Sequence, residues 1–162
     1  MKLIIEGFGL GGLLYLVCAF GIRNGALGMV HLYSAQVKER VVELGLIDRE
    51  TIRKRGFLFK AFCIPAYIIY VIICVYGINK AQGFWQGALQ SFVILFIMDL
   101  VDRLAIDEYW VCHTHAWDIP GTEDLKPYIS SEDKKKKWIS ATLSCVLLSI
   151  LIAGIGSLIQ GI

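Results

Sequence analysis

Residues 138–162 read WISATLSCVLLSILIAGIGSLIQGI and contain no charged side chain. A run of about 20 mainly apolar residues is long enough to cross the roughly 30 Å hydrocarbon core of a bilayer as a helix. Within lipid the backbone amides must hydrogen-bond to one another, so a segment of this kind is expected to be helical. The stretch therefore predicts a transmembrane helix.

Three more stretches share this character. Leu3–Ile22 carries only the charge of Glu6, Ala61–Ile78 carries none, and Phe84–Met98 carries none before Asp99. The third is too short to span alone, so its helix is expected to continue past Asp99. With 56% hydrophobic residues, the chain is predicted to be an all-α integral membrane protein. We expect a four-transmembrane-helix bundle in a single membrane domain, residues 1–162, with spans at about 3–22, 61–78, 84–106 and 138–160.

The basic residues predict how the bundle is oriented. Nearly all of them lie in the loops at 23–60 and 107–137, whereas the link between the second and third spans holds only Lys80. Lysine and arginine are retained on the cytoplasmic side during insertion. We therefore expect both long loops in the cytoplasm, both termini outside, and a location in a bacterial cytoplasmic membrane.

The first long loop has a helical pattern of its own. Apolar residues recur every three or four positions, which indicates one stripe of an amphipathic helix. Gly45 suits the end of that helix and Asp48 suits the N-cap of the next. The pattern predicts an amphipathic cytoplasmic helical hairpin between helices 1 and 2, with the stripe Val30, Tyr33, Val37, Val41 and Leu44.

Small residues in the first span indicate close helix packing. Glycines allow helix backbones to approach each other in a membrane. The neighbouring helix is either another span of the same chain or a second copy, and the sequence leaves both open. We expect a homo-oligomer; the glycines concerned are Gly7, Gly9, Gly11 and Gly12.

The polar end of the third span is the candidate functional site. In a regular α-helix its charged residues lie within about 140° of arc, a face that lipid cannot solvate. Matching depths brings residues of the second and fourth spans beside it. The candidate ligand-binding residues are Asp99, Asp102, Arg103, Asp107, Lys60 and Ser144. Either they form structural ion pairs, or they bind a cation, a phosphate-bearing ligand or a lipid headgroup.

A metal site is a further hypothesis. Two imidazoles and two carboxylates would give nitrogen and oxygen ligands of the kind that transition metals accept. The candidate ligands to a divalent metal are Asp99, Asp102, His113 and His115. The sequence does not identify any other cofactor.

Several functions fit this pattern. The leading one is a small membrane protein, homo-oligomeric, that binds a ligand at the cytoplasm-facing site and contacts membrane lipid. An alternative is a membrane enzyme acting on a lipid or isoprenoid with help from a metal. Asp99 and Asp102 resemble the aspartate pairs of metal-dependent lipid transferases, but the longer aspartate and glycine pattern of the CDP-alcohol phosphotransferases is missing.

A third class is a transporter or channel, or its accessory subunit, with Asp99 as a ring around an oligomer axis. Nucleic-acid binding is not expected, because the basic residues lack the interleaved aromatic side chains of a stacking platform. The sequence does not identify a protein partner.

Overall fold

A computed structural model of the protein describes residues 1–160, and within that range the chain is helical and contains no strand. Residues 161 and 162, which end the predicted domain and the apolar stretch, lie outside the described range. The helices are α1 (Lys2–Ile22), α2 (Ala35–Glu43), α3 (Arg49–Ile72), α4 (Gly83–Val101) and α5 (Ser131–Gln160). Two of them continue in π-helical form, α3 over Ile73–Ile78 and α4 over Asp102–Val111, and 3-10 turns occupy Ala26–Leu32 and Glu123–Leu125.

Within residues 1–160, three helical stretches are long and apolar enough to cross a membrane: Lys2–Ile22, Arg49–Ile78 and Ser131–Gln160. Large apolar side chains such as Phe8, Phe62 and Ile139 are exposed on them rather than buried. Apolar groups on the outside of long helices suit a lipid solvent, in which helices satisfy their own backbone. The all-helical character and three membrane-length helices are thus confirmed, and the fourth span stays a prediction.

Helix α4 packs between α1 and α5 and makes its most extensive contacts with them. Leu10 of α1, Ile94 and Leu95 of α4 and Ile152 of α5 are almost fully buried in one apolar core. Helices α1 and α4 approach each other closely at two glycines of α1, because Gly7 faces Ile97 and Gly11 faces Val101.

These contacts account for most of the glycines in α1. Gly9 faces the Tyr70 hydroxyl, so the glycines Gly7, Gly9 and Gly11 all serve packing within the chain. A Cβ at Gly12 would meet no atom of the described part of the chain within 4 Å. The homo-oligomer therefore stays a prediction, and of these four glycines Gly12 is the one whose packing partner is not found within residues 1–160.

Gly7→Val is expected to destabilise the bundle by about 1–3 kcal/mol, the usual cost of overpacking. A Cβ at Gly7 would lie 2.6 Å from the Ile97 Cβ and 3.1 Å from the Ile94 carbonyl oxygen. Gly12→Val adds the same side chain to the same helix and meets open space, so it is the matched control. Thermal unfolding in detergent measures both, and equal losses of stability would contradict the assigned α1–α4 contact.

A second apolar core lies at one end of the helices. It joins Val30, Val37 and Val41 from the segment between α1 and α3 to Trp117 and Tyr128 from the segment before α5. The two connecting segments therefore fold over the end of the bundle rather than extending into solvent.

Hydrogen bonds fix this arrangement. The Tyr33 hydroxyl donates to the Trp117 carbonyl oxygen at 2.5 Å, and the Thr122 hydroxyl donates to the Ile119 carbonyl oxygen at 2.8 Å. At the start of α3, the Asp48 side chain accepts from the Thr51 backbone N–H at 2.7 Å, as expected of an N-cap. Of the predicted stripe, Val37 and Val41 are buried whereas Leu44 is half exposed.

Candidate functional site

The site is built where α4 changes its winding. From Asp102 to Val111 the backbone is π-helical, so each turn holds more residues than a regular α-helix. Residues five apart then lie on nearly the same face, whereas regular α-helical geometry would place them about 140° apart. The sequence prediction assumed regular geometry; the π-helical form instead brings Asp102 and Asp107 side by side.

A lysine from α5 joins these two carboxylates. The Lys137 Nζ lies 2.7 Å from an Asp102 oxygen and 2.5 Å from an Asp107 oxygen. Burial and, after it, the negative charge of Asp102 raise the pKa of the Asp107 carboxyl to about 6, although Lys137 acts in the opposite direction. One cation thus serves two carboxylates, and the Asp107 carboxyl keeps its proton to a higher pH than an ordinary aspartate.

A second ion pair lies one turn earlier on the same helix. Asp99 and Arg103 are 5% and 4% exposed, and their side chains pair directly. The Arg103 guanidinium lies 4.1 Å from the centre of the Trp138 ring and donates to the Thr142 hydroxyl at 3.1 Å. The arginine is therefore held against α5.

These carboxylates border a cavity of about 250 Å³. Its polar wall comprises Asp99, Asp102, Asp107 and Lys137. The remaining wall is apolar or aromatic and comes from α1, α3, α4 and the folded connecting segments: Leu14, Cys18, Leu32, Tyr33, Phe59, Tyr67, Met98, Ile106, Val111, Trp117, Tyr128 and Ile129. Such a chamber suits a ligand with one polar group and an apolar remainder.

Charge is unequal at the polar wall. Three carboxylates, Asp99, Asp102 and Asp107, face two cations, Arg103 and Lys137. With every group ionised the cluster has one negative charge in excess. A bound cation or an added proton would neutralise it.

Two of the predicted site residues lie elsewhere. Lys60 is exposed, forms no ion pair within residues 1–160 and does not line the cavity. Ser144 is exposed, and its hydroxyl donates to the Ser140 carbonyl oxygen of its own helix at 2.8 Å. Matching depths placed both near the site, but depth does not fix the direction in which a helix residue points.

The structure does not assemble the predicted metal ligands. His113 is exposed, with its Nδ1 2.6 Å from the Glu108 carbonyl oxygen, and His115 is exposed and pairs with Asp118 at 2.8 Å. In the part of the chain that the structure describes, no group of three His, Cys, Asp or Glu side chains could hold a metal ion. The reason is local: the helix ends at His113, so the chain turns away from Asp99 and Asp102.

Asp99 is also unsuited to the ring around an oligomer axis that the transporter hypothesis requires. Its carboxylate is buried within one chain and paired with Arg103. A residue lining an axis between copies would be exposed in the single chain.

Sequence reasoning missed the residues that complete the site. Lys137 is not among the candidate residues that the sequence predicts, and neither are the aromatic residues of the connecting segments that line the cavity. Lys137 is the last lysine before the apolar run that begins at Trp138. That position was the available signal, because it gives Lys137 a depth close to that of Asp102.

Comparison with protein-family models, with curated proteins and with solved structures finds no match to this chain.

Proposed function

We propose that this protein binds a membrane-soluble amphiphile through a cationic group. The observation that carries the proposal is the cavity itself: an apolar chamber of about 250 Å³ whose polar wall carries more carboxylates than cations. The cationic group would approach Asp102 and Asp107, while its hydrocarbon would contact side chains such as Phe59 and Met98.

The charges favour a cation over a phosphate. Two unit charges 4 Å apart near a protein surface interact by about 4 kcal/mol. A phosphate beside Lys137 would be attracted by that one cation and repelled by two carboxylates, those of Asp102 and Asp107. A cation would be attracted by two carboxylates and repelled by one lysine. Of the three ligand classes that the sequence left open, the charges therefore favour a cation.

The size of the cavity limits what enters it. Sites for drug-sized ligands occupy roughly 300–1,000 Å³, and this cavity is slightly smaller at about 250 Å³. The chamber therefore suits an amine headgroup and its first few methylene groups rather than a whole lipid.

Titrating the purified protein with dodecylamine and with dodecyl phosphate tests the proposal. We expect the amine to bind at least about tenfold more tightly, a difference of about 1.4 kcal/mol. Asp102→Asn/Asp107→Asn should remove that preference. Intrinsic fluorescence reports binding through Trp117, which lines the cavity.

A control separates binding in the cavity from general attraction to the protein. Glu43 and Glu132 are exposed and form no ion pair within residues 1–160. Glu43→Gln/Glu132→Gln changes the net charge by the same amount and should leave the preference intact. Equal affinity for the two probes, or equal effects of the two double variants, would overturn the proposal.

The proposal includes the fourth span and the orientation. Helix α4 has 19 residues, which gives it a length of about 28 Å. It packs between two membrane-length helices, α1 and α5. If these two helices cross the membrane, α4 lies in the membrane with them. We propose that the basic segments face the cytoplasm, so that the cavity lies at the cytoplasmic end and both termini lie outside, in a bacterial cytoplasmic membrane.

Cysteine labelling in intact cells tests this orientation. We expect Lys80→Cys to react with a membrane-impermeant maleimide added outside, and Lys135→Cys to react only after the membrane is permeabilised. Lys80 lies in the turn between α3 and α4, and Lys135 lies in the exposed first turns of α5. The unsubstituted chain corrects for its own five cysteines, and the reverse pattern of labelling would contradict the orientation.

Acid–base catalysis on a membrane lipid is the second candidate function. The observation that favours it is the Asp107 carboxyl, which borders the cavity and has a pKa of about 6. A group with a pKa close to the working pH exchanges protons most effectively. Incubation with lipid extract followed by mass spectrometry would show a lipid consumed by the wild type and spared by Asp107→Asn. With no such lipid, only the binding function would stand.

A further inference from the structure

A second recess, separate from the cavity, lies between α2 and α3. It has a volume of about 260 Å³ and is lined by Ala35, Lys38, Glu39, Arg49, Ile52 and Arg53. Three of these six residues are cations and one is a carboxylate. They come from two helices and converge on one space, as the side chains of a binding site do.

The three cations are available to a ligand. Lys38, Arg49 and Arg53 form no ion pair with any carboxylate in residues 1–160. Other basic residues of the chain are used: Arg40 pairs with Asp124, and Lys134 pairs with Glu108. The recess thus holds an excess of positive charge, and its three cations form no ion pair within residues 1–160.

Basic residues outside the recess add to the positive charge around Lys38. Burial lowers the pKa of His31, and the charges of Lys38, Arg55 and Lys60 lower it further. Burial and the charge of Lys60 likewise lower the pKa of Lys38. An anion in the recess would relieve this repulsion among like charges.

The position along α3 indicates where that anion would come from. The exposed apolar side chains of α3 begin at Phe57, which is 70% exposed. Arg53 lies one turn before it, about 6 Å along the helix axis, and Arg49 lies a further turn away. If Phe57 is at the edge of the hydrocarbon, Arg53 is in the headgroup layer, which occupies roughly 5–7 Å on each side of a bilayer.

We propose that the recess between α2 and α3 binds the phosphate group of an anionic membrane lipid. Lys38 and Arg53 supply the principal contacts to the phosphate. Arg49 borders the recess on the side farther from Phe57 and the hydrocarbon. Arginine suits this role because its planar donors match the oxygens of a phosphate. Glu39 is the one lining residue that opposes the ligand.

The test uses soluble short-chain lipids and the full-length protein in neutral detergent. Dioctanoyl phosphatidylglycerol, dioctanoyl phosphatidylcholine and inorganic phosphate are titrated separately, with native mass spectrometry as the readout. We expect phosphatidylglycerol to bind at least about fivefold more tightly than phosphatidylcholine. Lys38→Gln/Arg53→Gln should abolish the difference, and Glu39→Gln should strengthen the binding of phosphatidylglycerol.

A matched control uses the other basic segment. Lys135 and Lys136 are exposed and unpaired within residues 1–160, so Lys135→Gln/Lys136→Gln removes the same charge elsewhere and should leave the preference unchanged. Equal losses in the two double variants, or no loss in Lys38→Gln/Arg53→Gln, would overturn the proposal. Inorganic phosphate that binds as tightly as the lipid, with the same dependence on Lys38 and Arg53, would overturn the lipid source. A circular dichroism spectrum of each variant confirms that it is folded.

Discussion

Replacing Arg103 by methionine is expected to lower the free energy of unfolding by about 3–5 kcal/mol, the usual cost of removing one partner from a buried ion pair. Asp99 and Arg103 are 5% and 4% exposed, so water cannot take the place of the lost partner. The variant also loses the contact with the Trp138 ring and the hydrogen bond to Thr142. Unfolding in mixed micelles, followed by circular dichroism, measures the loss.

The double variant Asp99→Leu/Arg103→Met distinguishes the buried charge from lost packing. With both charges removed, most of the stability should return, because apolar residues of similar volume often replace a buried pair without loss. Lys136→Met, at an exposed position, is expected to have little effect. If the double variant were as unstable as Arg103→Met, the arginine would stabilise the protein through Trp138 and Thr142 rather than through Asp99.

Much of the helical framework could be predicted from composition alone. Long apolar stretches must become helices in lipid, and this constraint needs no knowledge of neighbours. The stretches at 3–22, 61–78 and 138–160 correspond to the three membrane-length helices. The N-cap at Asp48 was likewise predictable, because the Asp48 side chain reaches a backbone N–H only three residues away.

The site was harder to predict because it depends on helix winding and on pairing between helices. A regular α-helix was assumed past Asp99, whereas the chain is π-helical from Asp102. Regular winding is the default expectation, because π-helical turns are rare and appear mostly as short insertions within α-helices. Lys60 was chosen as a partner by depth, but the cation that meets Asp102 is Lys137.

The second core shows a related limit. Trp117 and Tyr128 lie in a connecting segment with turn residues such as Pro120 and Gly121, and the segment was interpreted as a cytoplasmic loop. Both aromatic side chains are buried, and Trp117 packs against Trp110 with ring centres 5.3 Å apart. Tertiary contacts over long sequence separations place these side chains, and hydrophobic periodicity within one segment does not reveal them.

Compared with the wild type, the Asp107→Asn variant is expected to become more stable as the pH rises. Burial first, and then the negative charge of Asp102, raises the pKa of the Asp107 carboxyl from 3.8 to about 6 in the folded protein. A raised carboxyl pKa means that the folded state favours the neutral form. The stability contributed by that proton is complete below about pH 4 and is lost as the pH rises through about 6, and the loss at about pH 7 is about 3 kcal/mol. The free energy of unfolding of Asp107→Asn minus that of the wild type should therefore increase across this window.

The adjacent residue supplies a control of opposite sign. The Glu108 carboxylate accepts a hydrogen bond from Lys134, which holds the pKa of Glu108 below its ordinary value. Its contribution to stability is present above the pKa of the unfolded chain and is lost as the pH falls. Glu108→Gln should therefore reduce stability at neutral pH. If the stability of the two variants relative to the wild type changed with pH in the same direction, the net charge of the whole segment would be responsible. The raised pKa of Asp107 would then not explain the result.

The same titration connects stability to the proposed ligand. A cationic group beside Asp107 favours the ionised carboxylate, so binding of dodecylamine releases the proton that burial retains. The affinity of the wild type for dodecylamine should fall as the pH is lowered through about 6, and this fall should be absent in Asp107→Asn. Affinity that stayed constant across this range in the wild type would mean that the amine binds away from Asp107. Because Lys137 already occupies the space between Asp102 and Asp107, the amine has to approach from the cavity side, and that side is the one bordered by Met98 and Trp117.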